Sequence, residues 1–216
     1  MPKVAVIPGD GIGIDVTREA VKVLRAVAET TRMSLQIDEF DYGAEKYLAT
    51  GVSLPDEDLE NLKKYDAIFV GALGDPRIPD MAHARDILLG MRFKLDLYVN
   101  HRPVRLAHER LCPLKGRTPD DVDMVFFREN TEGAYVGIGG IFKKGTPDEV
   151  AVQEDVNTRK GVERIIRHAF EFARAHGRRK VTMADKSNAL RFGHDIWQRV
   201  FKQVAAEHAD IESEHW

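Results

Sequence analysis

The run Arg128-Glu129-Asn130-Thr131-Glu132-Gly133-Ala134-Tyr135 sets a permanent cation, two carboxylates and a phenol directly after an apolar stretch, Met124-Val125-Phe126-Phe127. A guanidinium meets a carboxylate through two parallel hydrogen bonds, and a positioned phenol can hand over a proton. The octapeptide can therefore hold and protonate an anionic substrate. Each of its residues taken alone also fits a surface ion pair or an interfacial aromatic. Arg92 and Arg102 share the feature of a cation flanked by apolar residues. Two carboxylates need at least two such forks, whereas snorkelling off a core is the other use of a long cation in that setting.

A second candidate lies at the amino terminus. Gly9-Asp10-Gly11-Ile12-Gly13 stands between an apolar run and a helical pattern. Its spacing is G-x-G-x-G, not the G-x-G-x-x-G of a dinucleotide-binding turn, so it reads as a tight turn that lets backbone approach a ligand.

These residues need rigid elements behind them. Short apolar runs alternate with helical periods, which predicts an α/β fold and not a bundle or a sandwich. Strands are expected over 3–7, 34–41, 67–70, 97–104, 123–127 and 180–183, and Ala209–His215 reads as the start of another. Between them, residues 16–28 carry Val16, Ala20, Val23, Leu24 and Val27, a stripe that would cover one sheet face. Ser53-Leu54-Pro55-Asp56 opens a further helix, and residues 159–176 form one that stops at Gly177. Residues 105–122, with Pro113, Gly116 and Pro119, read as a surface connection. Residues 137–150 are glycine-rich, bear Ile138, Ile141 and Phe142, and continue in β-like fashion to Val152, as a flexible lid would.

Composition narrows the function classes. With 32 basic and 35 acidic residues the net charge is -3, so no basic field favours nucleic acid. The single cysteine, Cys112, excludes an internal disulfide and fits a reducing compartment. No apolar run reaches the roughly 18 residues of a membrane span, and no signal-peptide pattern opens the chain, so a cytoplasmic protein is expected.

Four ordered segments resemble the β-hydroxyacid oxidative decarboxylases, the family of isocitrate, homoisocitrate, 3-isopropylmalate and tartrate/D-malate dehydrogenases. They are Val4–Gly13, Leu88–Arg92 followed by Asp96–Pro103, the octapeptide Arg128–Tyr135, and Val181-Thr182-Met183-Ala184-Asp185-Lys186-Ser187-Asn188. The likeness runs from end to end of the chain and covers the amino-terminal part of a family member. It implies an isopropylmalate dehydrogenase-like fold, here incomplete: two α/β subdomains around a central cleft, plus a dimerisation arm. The first would occupy 1–100. The second would occupy 101–216, cut short at its carboxyl end, with the arm at about 137–152 pairing with its copy in a homodimer.

The resemblance also assigns roles. Arg92, Arg102 and Arg128 match positions that grip the carboxylates of a 2-hydroxy dicarboxylate. Tyr135 matches the acid that reprotonates the enolate after decarboxylation, and Lys186 the general base that reaches across from the partner subunit. Ile12 and Asn188 match neighbours of the cofactor, NAD, although Asn188 would serve equally to cap a helix. The family's Mg²⁺ or Mn²⁺ is held by aspartates further along its chains, so no metal ligand is expected within these residues; Asp185 is the one tempting carboxylate.

Leu88 and Leu89 match positions where isopropylmalate-type members present an apolar wall, and they could equally be core packing. Signals conflict elsewhere. The octapeptide resembles isocitrate, homoisocitrate and tartrate members, Tyr98–Leu106 leans toward tartrate dehydrogenase, and Glu109–Lys115 looks like isopropylmalate dehydrogenase. Weighing the pocket residues above the flanks, the resemblance implies NAD-dependent, metal-assisted oxidative decarboxylation of 3-isopropylmalate in leucine biosynthesis. These 216 residues alone are expected to be inactive, binding neither Mg²⁺ nor NAD tightly. The expectation of another class is a non-catalytic piece that dimerises and binds dicarboxylates.

Overall fold

In the computed structural model, which describes residues 1–216, the opening apolar run becomes the strand β1, Lys3–Gly9. It is the centre of a three-stranded parallel sheet, flanked by β2, Gln36–Glu39, and β3, Ala67–Ala72. Val6 pairs with Glu39 on one side and Phe69 on the other. Ala5, Val6 and Ile7 are fully buried, as a central parallel strand covered on both faces requires.

The helix α1, Ile12–Thr30, departs from the expected stripe. Ala20 and Leu24 are half-buried, but Val16, Val23 and Val27 are exposed, and the buried positions are Gly13, Thr17 and Ala28. The reason is close approach. A side chain on Gly13 would meet the carbonyl oxygens of Pro8 and Ala72, and one on Gly71 would meet Thr17, so the helix crosses the sheet on its smallest residues.

Two short helices, α2 (Ala44–Thr50) and α3 (Asp56–Leu62), precede β3, the second entered through Pro55 as expected. The helix α4, Ala82–Lys94, packs Ile87 and Met91 against Ala5, Ile7, Tyr42, Leu59 and Leu62. Residues Met1–Asp96 thus form one compact unit with its own core.

Leu97–Trp216 form a second unit. Here β4, Val99–Arg105, pairs antiparallel with β5, Asp123–Glu129; the connection between them holds two single 3₁₀ turns, at Glu109–Leu111 and Pro119–Asp121. The segment read as lid or arm is a regular two-stranded antiparallel ribbon, β6 (Gly139–Phe142) with β7 (Val150–Gln153). The helix α5, Arg159–Ala175, starts on Thr158, whose hydroxyl accepts from the Gly161 amide at 3.0 Å, and Gly177 follows in the left-handed region.

The strand β8, Lys180–Met183, pairs parallel with β9, Glu212–His215, and the helix α6, Arg191–Glu207, joins them. α6 lies outside the elements expected from the sequence. Val162, Ile165, Ile166, Phe170 and Ala173 of α5 interlock with Val200, Phe201 and Val204 of α6 to make the core of this unit. No helix is long and apolar enough to cross a membrane.

Candidate active site

Strand alternation places the arginines. Asn100 stands opposite Arg128 in the β4–β5 register and Arg102 opposite Phe126, so Asn100, Arg102, Phe126 and Arg128 share one face. The opposite face, with Val99, His101, Phe127 and Glu129, turns toward α5, where Phe127 packs edge-on to Phe172 at 5.0 Å. Arg102 and Arg128 are exposed, and the arrangement ties them together. Arg102 Nε donates to Asn100 Oδ1 at 2.7 Å, Asn100 Nδ2 to Asn130 Oδ1 at 3.0 Å, and Arg128 Nη2 to the same Asn130 oxygen at 3.3 Å.

Tyr135 joins this group. Its ring centroid lies 5.5 Å from the Arg128 guanidinium, and the phenol is 57% exposed, open to a ligand. It sits in the 3₁₀ turn Ala134–Val136, and the loop that carries it is bolted from below. Glu129, buried, accepts from the amides of Thr131 and Glu132 at 2.8 Å each and from Arg164 Nη2 at 2.8 Å. Arg164 in turn stacks on Tyr98 at 4.4 Å. Glu132 caps the entry to α5, accepting from the Thr158 amide at 2.8 Å and from its hydroxyl. Any side chain at Gly161 would collide with that carboxylate. Of the acids in the octapeptide, then, both are structural anchors and neither faces a ligand.

Lys186 and Asn188 lie just past the end of β8 and are exposed. The Lys186 amide donates to His194 Nδ1 at 2.8 Å, which fixes the backbone of that turn to α6 and leaves the ammonium to solvent. Asn188 does not cap a helix, because α6 begins only at Arg191, after Leu190. Asp185 pairs with His215 at 3.0 Å and accepts from the Ser187 amide at 2.9 Å. Burial alone would raise its carboxyl, but the Ser187 and His215 hydrogen bonds hold it below the usual carboxylate range. It is occupied as a structural anion, and no three His, Cys, Asp or Glu side chains converge anywhere as a metal would require. The residues present do not build a metal site.

In the first unit, Leu88 is 40% exposed and Leu89 half-buried, while Ile87 and Met91 fill the core; core packing therefore does not account for Leu88. Arg92 follows Leu88 by one helical turn on the same side of α4 and is half-buried. Ile12 opens α1 and is 66% exposed. The turn before it is held by Asp10, whose carboxylate accepts from the amides of Ala44 at 2.6 Å and Gly74 at 2.9 Å and pairs with fully buried His83 at 2.8 Å. Asp10 thus serves the fold, and the turn presents backbone and Ile12 outward.

Asn100, Asn130 and His194 are the site residues that sequence reasoning passes over. Asn130 lies in the octapeptide and carried a signal; Asn100 becomes relevant only once the β4–β5 register is known.

The family model described as isocitrate/isopropylmalate dehydrogenase matches residues 3–216. The 3-isopropylmalate dehydrogenase of Thermobifida fusca is 47% identical over 213 residues, covering 99% of this chain and 60% of that protein. That of Streptomyces coelicolor is 46% identical over 98% of this chain and 60% of its own length. Among solved structures, isocitrate dehydrogenase from Methylococcus capsulatus superposes with a TM-score of 0.85 at 35% identity, over 100% of this chain and 60% of that one. A β-decarboxylating dehydrogenase from Thermococcus kodakarensis gives 0.72 at 34% identity, over 100% of this chain and 57% of that one. The chain spans about 60% of the length of the curated relatives it matches. With a family model matched along nearly its whole length, this chain belongs to the isocitrate/isopropylmalate dehydrogenase family.

Proposed function

We propose that this chain belongs to an NAD-dependent oxidative decarboxylase that converts 3-isopropylmalate to 4-methyl-2-oxopentanoate in leucine biosynthesis. The observation that carries the reading is the joined pair Arg102 and Arg128 on one face of β4–β5, with Tyr135 set against Arg128 from the 3₁₀ turn that follows. The names of the relatives support the choice of substrate, and so does the outward, apolar Leu88 one turn from Arg92.

In this reading Arg102 and Arg128 neutralise and orient the carboxylates of the 2-hydroxy dicarboxylate, and Arg92 is a further proposed substrate-binding residue. Lys186 accepts the proton of the C2 hydroxyl as the hydride departs, reaching the site of a partner subunit in a homodimer. The β-carboxylate leaves as CO₂, and Tyr135 Oη delivers a proton to the carbon it vacates. NAD would supply the hydride acceptor, and Ile12 and Asn188 are each proposed as a cofactor neighbour. Both residues are exposed and able to make that contact. A Mg²⁺ or Mn²⁺ ion belongs to the same proposal, and Asp185, engaged by His215 and Ser187, is not its ligand. The ribbon β6–β7, with Ile138, Ile141, Phe142, Val150 and Val152 exposed, is the proposed dimer contact. Division of the chain into a first domain over 1–100 and a second over 101–216 is part of the same proposal, as is a cytoplasmic location.

The test is steady-state kinetics of the full-length protein on 3-isopropylmalate, isocitrate and D-malate with NAD and Mn²⁺. A kcat/KM highest on isopropylmalate is expected. A higher value on isocitrate or D-malate would replace the substrate, and absence of turnover on all three would leave dicarboxylate binding without catalysis.

A further inference from the structure

Asn100 and Asn130 stand between the two exposed arginines of the second unit. Arginine has no acceptor, so the amide oxygen of each asparagine must face its cation, and this fixes both amide orientations. Asn130 Nδ2 then points at the Leu97 carbonyl, to which it donates at 3.1 Å, while its backbone N–H donates to the Tyr98 carbonyl at 2.9 Å. Asn100 uses Oδ1 for Arg102 and Nδ2 for Asn130, so nothing in the chain Arg102–Asn100–Asn130–Arg128 is left with the wrong partner. Both asparagines are half-buried and both arginines exposed. Arg102 is held through Nε, which leaves its two terminal amino groups to a ligand.

The choice of acceptor has a chemical meaning. Four other arginines in this unit are held by carboxylates: Arg164 by Glu129, Arg167 by Glu163 and Glu207, Arg174 by Asp210, and Arg178 by Asp123. Those pairs cancel the charge they orient. An amide oxygen gives the same direction to a guanidinium and cancels nothing, so the two cations keep their full field for an incoming anion.

We propose that Asn100 and Asn130 are positioning residues, a neutral clamp that holds Arg102 and Arg128 at fixed separation for a dianionic ligand. The identity of that ligand as a 2-hydroxy dicarboxylate rests on the function proposed above; the clamp does not. Nitrogen NMR of the full-length protein, ¹⁵N-labelled at arginine, reads it directly. In the ligand-free wild type the Arg102 Nε–Hε group should be ordered and slow to exchange, and Asn100→Ala should free it while thermal unfolding stays unchanged. An Arg102 Nε as mobile as a solvated arginine in the wild type overturns the clamp.

Neutrality is tested by Asn100→Asp, which keeps the acceptor oxygen for Arg102 and adds one negative charge. Its affinity for D-malate should fall at least about tenfold, beyond the few-fold loss expected for Asn100→Ala, and the loss should appear in KM more than in kcat. Sulfate is titrated in parallel. If wild type holds Arg102 ordered and binds sulfate but not D-malate, the substrate reading fails and the clamp stands, provided that Asn100→Asp weakens sulfate. An Asn100→Asp variant that binds either anion as the wild type does overturns the neutral clamp.

Discussion

Tyr135 and Lys186 are both exposed, held by their backbones and not by their functional atoms. That separation makes clean substitutions possible. Tyr135→Phe keeps the ring against Arg128 and removes only the phenolic hydroxyl, the proton donor. In the full-length protein, turnover should fall by about 10²-fold or more while substrate affinity changes little, with hydride transfer completed in a single-turnover experiment before product protonation stalls. Near-normal turnover would mark Tyr135 as a structural residue. Lys186→Met should instead suppress the hydride step itself, and a normal burst of NADH from that variant would remove it from the proposed mechanism. Leu89→Arg addresses specificity. Ile87 and Met91 carry the core of α4, so the fold should survive, but a guanidinium placed against an isopropyl group would cost several kcal/mol of transition-state binding. Unchanged kcat/KM on isopropylmalate would show that Leu89 faces elsewhere.

Elements carry predictions of a different kind. His168 lies on α5 with its ring 4.8 Å from Phe127 and 6.4 Å from Tyr98, and its Nε2 is buried without a partner. Burial pushes its imidazole below the ordinary value of 6.5; Glu171 opposes that shift and His101 adds to it. The folded state therefore binds the proton less readily than the unfolded chain. Stability from this group is complete above about pH 6.5 and is lost as pH falls below it toward the folded value. Thermal unfolding of wild type should drop more between pH 7 and 5.5 than that of His168→Gln. Parallel curves would exclude His168 as the source. The ribbon β6–β7 exposes Phe142 at 66% and Ile141 at 53%, more apolar surface than a free hairpin usually leaves in water. Phe142→Glu should shift a sedimenting dimer toward monomer; wild type that sediments as a monomer, or a variant dimer of unchanged affinity, would remove the arm from the interface.

At the scale of the molecule there are two cores, one centred on Ala5, Ile7, Leu62 and Ile87, the other on Ile165, Phe170, Val200 and Val204. Phe170 is fully buried and touches Phe201 and His208 through its ring, so Phe170→Ala should cost about 3–5 kcal/mol. Because that core belongs to Leu97–Trp216, amide exchange should accelerate in α5 and α6 while Ala5, Val6 and Ile7 keep their protection. Equal acceleration in both units would mean that they unfold as one.

Much of this was written in the chain. β1, β3, β5 and β8 lie where short apolar segments put them, and in β1 the run is continuous because a central parallel strand is buried on both faces. The end of α5 at Gly177 and the start of α3 after Pro55 follow from local backbone chemistry. The octapeptide declared its cation and phenol by type alone. The expected elements stop short of α6, although Ile196, Trp197, Val200, Phe201 and Val204 recur at helical spacing. What the sequence could not decide was which face of a helix meets a sheet. Periodicity pointed to Val16, Val23 and Val27, and the close crossing at Gly13, Thr17 and Gly71 chose the other side, because the distance between two backbones is set by the sheet and not by the helix. Nor could it pair Asn100 with Asn130, 30 residues apart. That contact exists because antiparallel register brings two distant residues onto one face, and only the folded β4–β5 pair fixes that register.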